Sequence, residues 1–160
     1  MRDCIVDANV LVVANGRNTN ASRFCREKSI LFLSQAISSW RLNVDDSNEI
    51  MAEYRSHCNS SGQPGVGDRF YQLLLSNYTS KVRRTTLTKE QDGTFSNFPR
   101  NPDLDNFDIS DRKYVALAVT INAPVFNSTD TDWINHKAAL NESGVEIEFL
   151  CSDDVLCWFA

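Results

Sequence analysis

The stretch Cys4-Ile5-Val6-Asp7-Ala8-Asn9-Val10-Leu11-Val12-Val13 places a single carboxylate inside a run that otherwise reads as core. Cys4 to Val6 predicts a short, buried first strand with Asp7 at its C-terminal end. A buried charge needs a partner, and a divalent cation held through oxygen supplies one. Three further acids, Glu53, Asp111 and Asp130, fall where a strand ends or a helix presents a polar face.

Outward from that stretch, strand and helix patterns alternate. The polar run Asn15 to Asn20 precedes a helix over Ala21 to Ser39, with Ile30, Leu33, Ile37 and Trp40 at helical spacing. Arg41 to Val44 reads as a second strand. Asp46-x-x-Glu49 reads as a capping box opening a helix to about His57. The turn-rich Gly62-Gln63-Pro64-Gly65-Val66-Gly67 lacks the Gly-Lys-Ser/Thr of a phosphate loop and reads as a plain loop. Asp68 then caps a helix to about Tyr78. Ser80 to Phe107 has no apolar period, and a connection of that length is usually functional or mobile. Asp108 or Ser110 caps a buried helix containing Tyr114, Val115, Leu117, Ala118 and Ile121. Pro124-Val125-Phe126 is an internal strand, Thr131 to Leu140 a helix stopped by Gly144, and Val145 to Leu150 a last strand. The alternation predicts an α/β fold, a three-layer α/β/α sandwich around a central parallel sheet.

The 160 residues suit one domain spanning 1–160 that buries about 70% of the unfolded chain's surface. No apolar run reaches the ~20 residues of a membrane span, and Met1-Arg2-Asp3-Cys4-Ile5 leads into a strand pattern, so no membrane association and a cytoplasmic location are expected. Five cysteines, with no Cys-x-x-Cys pair, read as free core thiols, and the two histidines are too isolated for a nitrogen-ligand site. A metal would therefore bind through oxygen, which favours Mg²⁺ or Mn²⁺. The net charge of −5 argues against nucleic-acid binding over the whole surface, though not against a local basic patch.

In open parallel sheets, ligands bind beyond the carboxyl ends of the strands, where Asp7 and Asp130 are both expected. Several of the acids also have a plain structural explanation to weigh. Glu49 fills the capping box, which leaves Glu53 as either a ligand or a solvated helix face. Asp111 lies in the first turn of its helix, where the macrodipole favours an acid. Asp132 has the same excuse if Thr129 caps its helix, whereas Asp130 has none.

Ile5-Val6-Asp7-Ala8-Asn9-Val10-Leu11, Glu49-Ile50-Met51-Ala52-Glu53-Tyr54, Asp108-Ile109-Ser110-Asp111 with Tyr114 to Ala118, and Asn127 to Trp133 together resemble the successive acidic motifs of PIN domains. The resemblance runs from about residue 3 to 151. It implies the sandwich fold, Mg²⁺- or Mn²⁺-dependent endoribonuclease activity, and the toxin half of a toxin–antitoxin pair. On this resemblance Asp7, Glu53, Asp111 and Asp130 are the metal-binding acids, Asp132 is the reserve for the fourth, and Asn9 and Ser128 are polar supports. The long Ser80 to Phe107 segment departs from compact toxin-like members.

Substrate must reach an acidic pocket, so basic groups should grip the flanking phosphates. Arg83, Arg84, Lys89 and Arg100, interleaved with Phe95 and Phe98, are the expected contacts for single-stranded RNA or DNA. Otherwise the cations are solvated and the aromatics anchor the loop. An antitoxin and a second copy of the chain are protein partners the sequence leaves open. Aspartyl-phosphate transfer fits less well, because Asn9 stands where a second acid belongs and no lysine follows Phe126. A non-catalytic PIN-like scaffold that binds RNA or protein is the main alternative.

Overall fold

A computed structural model of the chain describes residues 1–18, 20–76 and 80–160. Five strands, β1 (Arg2–Val6), β2 (Trp40–Asp45), β3 (Val82–Thr85), β4 (Val125–Asn127) and β5 (Ile147–Phe149), form one sheet in the order β3-β2-β1-β4-β5. All pairings are parallel, with Cys4 opposite Leu42, Ile5 opposite Val125, Val44 opposite Arg84 and Phe126 opposite Glu148. The helices are α1 (Ala8–Ala14), α2 (Arg23–Ser39), α3 (Glu49–His57), α4 (Val66–Leu75), α5 (Arg112–Ile121), α6 (Thr131–Asn135) and α7 (Lys137–Glu142). Helices α1, α2 and α4 pack on one another on one side, and α5 lies against β1 and β4 on the other. Right-handed crossovers account for that division. The result is the expected three-layer α/β/α sandwich. Helix α3, leaving the C-terminal end of β2, touches both α1 and α5.

The strand order reverses between β1 and β4, so a crevice opens above their carboxyl ends. Asp7 follows β1 directly, and its N–H donates to Phe126 O at 3.0 Å. Its side chain also caps α1, accepting from Asn9 N at 3.1 Å. Helix α1 has only seven residues and three valines, a poor intrinsic helix. Burial of Ala8, Val10, Leu11, Val13 and Ala14 holds it, at roughly 1.5–3 kcal/mol per large apolar side chain.

Several local expectations are corrected. The cap of α3 is Asp45, the last residue of β2, whose carboxylate accepts from Glu49 N and Ile50 N at 2.9 Å each. Asp46 instead bonds Thr86, so there is no Asp46–Glu49 capping box. Helix α4 begins at Val66, and Asp68 reaches back to the Gly65 N–H at 2.9 Å; the predicted end at Tyr78 lies outside the described residues. The Ser80–Phe107 segment is not a bare connector. It contains edge strand β3, a small tongue in which Lys89 pairs antiparallel with Phe95, and a 3₁₀ turn over Pro102–Leu104. The predicted Thr131–Leu140 helix breaks at His136 into α6 and α7.

The cysteines are not all free. Cys25 at the start of α2 is disulfide-bonded to Cys151, across 126 residues, within a small apolar cluster with Val13 and Trp158. Cys4 is a buried thiol, Cys58 is half-buried and Cys157 is exposed. Among the described residues, no helix is long and apolar enough to cross a membrane.

Candidate metal centre

Three carboxyl groups converge in the crevice. One oxygen from each of Asp7, Asp111 and Asp130 lies within 4.8 Å of the others. They come from the end of β1, the 3₁₀ turn Ile109–Asp111 that feeds α5, and the link between β4 and α6. Only the fold brings together positions so far apart in the chain.

Each acid is held by its own surroundings. Asp7 is 2% exposed, and its second oxygen accepts from the indole N–H of the fully buried Trp133 at 2.8 Å. Trp133 is wedged edge-on against Phe107, with ring centroids 5.1 Å apart. Asp130 is the N-cap of α6, accepting from Asp132 N at 3.0 Å, while Asn127 Nδ2 donates to its carbonyl at 3.0 Å. Asp130 thus has the structural role that the sequence reading withheld from it, and Thr129 is not the cap. The Asp108 carboxylate caps the turn before α5 by accepting from Ser110 N at 2.9 Å. Asp111 Oδ2 is buried without a donor.

Without a counter-ion this arrangement penalises ionisation. Burial, then the charges of Asp7 and Asp130, pushes the Asp111 carboxyl up to about 10. Burial and the neighbouring Asp130 push Asp7 up to about 7, against the donors from Asn9 and Trp133. Asp130 is also raised by burial, while the Asp132 N–H and a hydrogen bond with Asp111 pull the other way. Of the three, Asp111 is the carboxyl pushed furthest toward its protonated form.

The remaining expected residues divide differently. Glu53 lies outside the 4.8 Å set of acids. Its Oε2 takes the Lys113 ammonium at 2.6 Å and the Tyr114 hydroxyl at 2.7 Å. The Ala8 N–H donates to the same Tyr114 oxygen at 3.2 Å, so one tyrosine ties Glu53 to the residue after Asp7. Asp132 is engaged elsewhere, accepting from Asp108 N at 2.8 Å and facing His136 at 3.2 Å. Asn9 braces the Asp130 link: its Oδ1 accepts from Thr129 N at 2.6 Å and its Nδ2 donates to Thr129 Oγ1 at 2.9 Å. Ser128 faces away from the acids and meets Ser29 of α2 at 2.6 Å.

The basic residues are dispersed. Arg83 and Arg84 are consecutive on edge strand β3, so their side chains leave opposite faces of the sheet. Exposed charges there also discourage edge-to-edge pairing. Lys89 is bound to Glu49 at 2.5 Å and lies over the Phe95 ring. Arg100 lines a cleft of about 380 Å³ together with Arg112. Phe98 is an anchor for the segment, stacked on Phe107 and covered by the Arg112 guanidinium 4.6 Å from its centroid.

Lys113, Tyr114 and Trp133 are the contributors that sequence reasoning missed. Lys113 carried a signal: a cation in the first turn of a largely apolar helix opposes the macrodipole and calls for an acid partner. Trp133, three residues beyond Asp130, carried another, since a buried indole N–H seeks an acceptor.

The donor set suits a hard cation. Three carboxylates at close range, one with an unpartnered buried oxygen, fit Mg²⁺ or Mn²⁺ held through oxygen. Comparison with protein-family models, with curated proteins and with solved structures finds no match to this chain.

Proposed function

We propose that the chain is a metal-dependent nuclease that hydrolyses phosphodiester bonds of single-stranded nucleic acid, RNA in preference to DNA. One observation carries it: two buried acids and a half-buried third, remote in sequence, meet at the topological switch point of a parallel sheet, and their raised pKa values mark a site that wants a cation.

Asp7, Asp111 and Asp130 would hold Mg²⁺ or Mn²⁺, which when bound neutralises charge on the phosphate and provides an activated water. The chain's own residues set the geometry. Trp133 and the Asn9 N–H fix both Asp7 oxygens, so its carboxylate is oriented before any ligand arrives. Asn9 and Asn127 fix the link that carries Asp130. Asp111, whose buried Oδ2 has no donor, would offer that oxygen to the cation. Lys113 neutralises Glu53 and so keeps a fourth negative charge from adding to the repulsion. Tyr114, whose pKa burial raises well above the usual phenol value, stays protonated and keeps donating to Glu53.

The test is to incubate end-labelled single-stranded RNA and DNA of one sequence with the chain in Mg²⁺, Mn²⁺ or EDTA. Cleavage with metal, none in EDTA and none by Asp7→Asn supports the proposal. No cleavage of either strand under any condition refutes it. Capture of Glu53 by Lys113 and Tyr114 favours the alternative of a non-catalytic RNA-binding scaffold, which the same gel would reveal as a retarded, intact strand.

A further inference from the structure

Beside the acids, Glu49 and Ala52 of α3, the tongue residues Lys89 and Phe95, and Ile109 and Lys113 around the start of α5 enclose a pocket of about 370 Å³. That size is within the range of small-molecule sites. The pocket adjoins the metal centre covalently, since Ile109 belongs to the turn that ends at Asp111 and Lys113 holds Glu53. Its walls are unlike those of a phosphate trap. Both lysines are paired with carboxylates, Lys89 with Glu49 at 2.5 Å and Lys113 with Glu53 at 2.6 Å, so the pocket carries almost no net positive charge. What it presents instead is apolar surface: the half-buried Phe95 ring and Ile109, which is 79% exposed despite being aliphatic. Its wall also contains Glu49, whose Oε1 is held by Lys89 and whose Oε2 is buried without a donor. Lys89, which bridges Glu49 and the Phe95 ring, is itself 44% exposed, so an incoming donor at this rim competes with it for Glu49.

A flat, neutral group with N–H donors on its edge matches those walls. We propose that this pocket seats one nucleobase of the single strand next to the scissile phosphate, stacked on Phe95, with Glu49 accepting from its exocyclic amino group. The assignment rests on the nuclease reading for its location, and on the pocket's own chemistry for the identity of its occupant. Aromatic faces hold bases of any sequence, whereas a carboxylate acceptor selects those with an amino group, so adenine and cytosine are preferred to uracil. A duplex, whose bases are stacked and paired, is excluded.

The experiment is fluorescence anisotropy of 5′-labelled RNA decamers of adenosine, cytidine and uridine with the full chain in EDTA, where nothing is cut. Wild type should bind the cytidine decamer more tightly than the uridine decamer. Phe95→Ala should weaken the adenosine and cytidine decamers about tenfold, in line with ~1–3 kcal/mol per stacked base, and Phe95→Trp should restore binding. Glu49→Ala should bring cytidine and uridine to equal affinity. Unchanged affinity in Phe95→Ala, or an equal loss for a decamer of abasic sugar-phosphate, overturns the base seat. Because binding is read without metal, a wild-type chain that binds with this pattern yet cuts nothing would refute the nuclease reading and leave the base seat standing. A chain that cuts but shows no Phe95 dependence would do the reverse.

Discussion

Replacing Asp111 by Asn should make the metal-free protein more stable at neutral pH, and the size of the gain follows from the site. The folded chain holds the Asp111 proton up to about pH 10, whereas the unfolded chain releases it near 3.8. Between those values the unfolded state binds fewer protons than the folded one, so stability falls as pH rises. From the unfolded pKa to pH 7 the fall covers roughly three pH units at about 1.4 kcal/mol each, or about 4 kcal/mol for this group. The substituted amide cannot ionise, so the variant should escape that loss. Urea denaturation in EDTA at pH 4 and pH 7 measures it. Wild type and variant should be nearly equal at pH 4 and differ by a few kcal/mol at pH 7, and Mg²⁺ should close the gap by stabilising wild type alone. Equal stability at pH 7, with the same dependence on pH, would refute the claim that burial and neighbouring acids penalise ionisation of Asp111 at this centre.

Asp130→Asn should abolish cleavage of labelled RNA while Asp132→Asn retains most of it, because Asp132 is committed to the Asp108 N–H and His136; the reverse order would show that Asp132 reaches the metal. Lys113→Met should destabilise the fold by ~3 kcal/mol in urea, since it strands Glu53 beside the other acids, and adding Glu53→Gln should recover most of that. A single variant as stable as wild type contradicts the pairing. On β3, Arg84→Ala should lower the slope of log affinity against log salt for single-stranded RNA by about one phosphate contact while Arg83→Ala leaves it unchanged, given that the two leave opposite faces of the strand. Equal effects would place both on one substrate path.

The parallel sandwich was legible because its strands are short apolar runs whose following residue is polar, as at Val6-Asp7 and Phe126-Asn127. That same grammar marks Asp7 and Asp130 as residues at strand ends, and Asp111 stands where a helix opens. Legibility failed where a partner is remote. Nothing near Glu53 in the sequence announces that Lys113 and Tyr114, some 60 residues on, will engage it, or that Asp108 will turn Asp132 aside. Cys25 and Cys151 are likewise joined only by the packing of Val13 and Trp158 around them. Helix α1 was hidden because strand and helix abut at Asp7 without a turn residue, and β3 because an exposed edge strand containing Arg83 and Arg84 has no apolar alternation to betray it.

Titration of the chain with Mn²⁺, followed by the electron paramagnetic resonance signal of the free ion, tests the central claim most directly. Wild type should remove Mn²⁺ from solution at the acid cluster. Asp7→Asn and Asp111→Asn should lose that binding, and Asp132→Asn should keep it. Mn²⁺ binding that is absent from wild type, or that survives intact in both Asp7→Asn and Asp111→Asn, would contradict the metal centre.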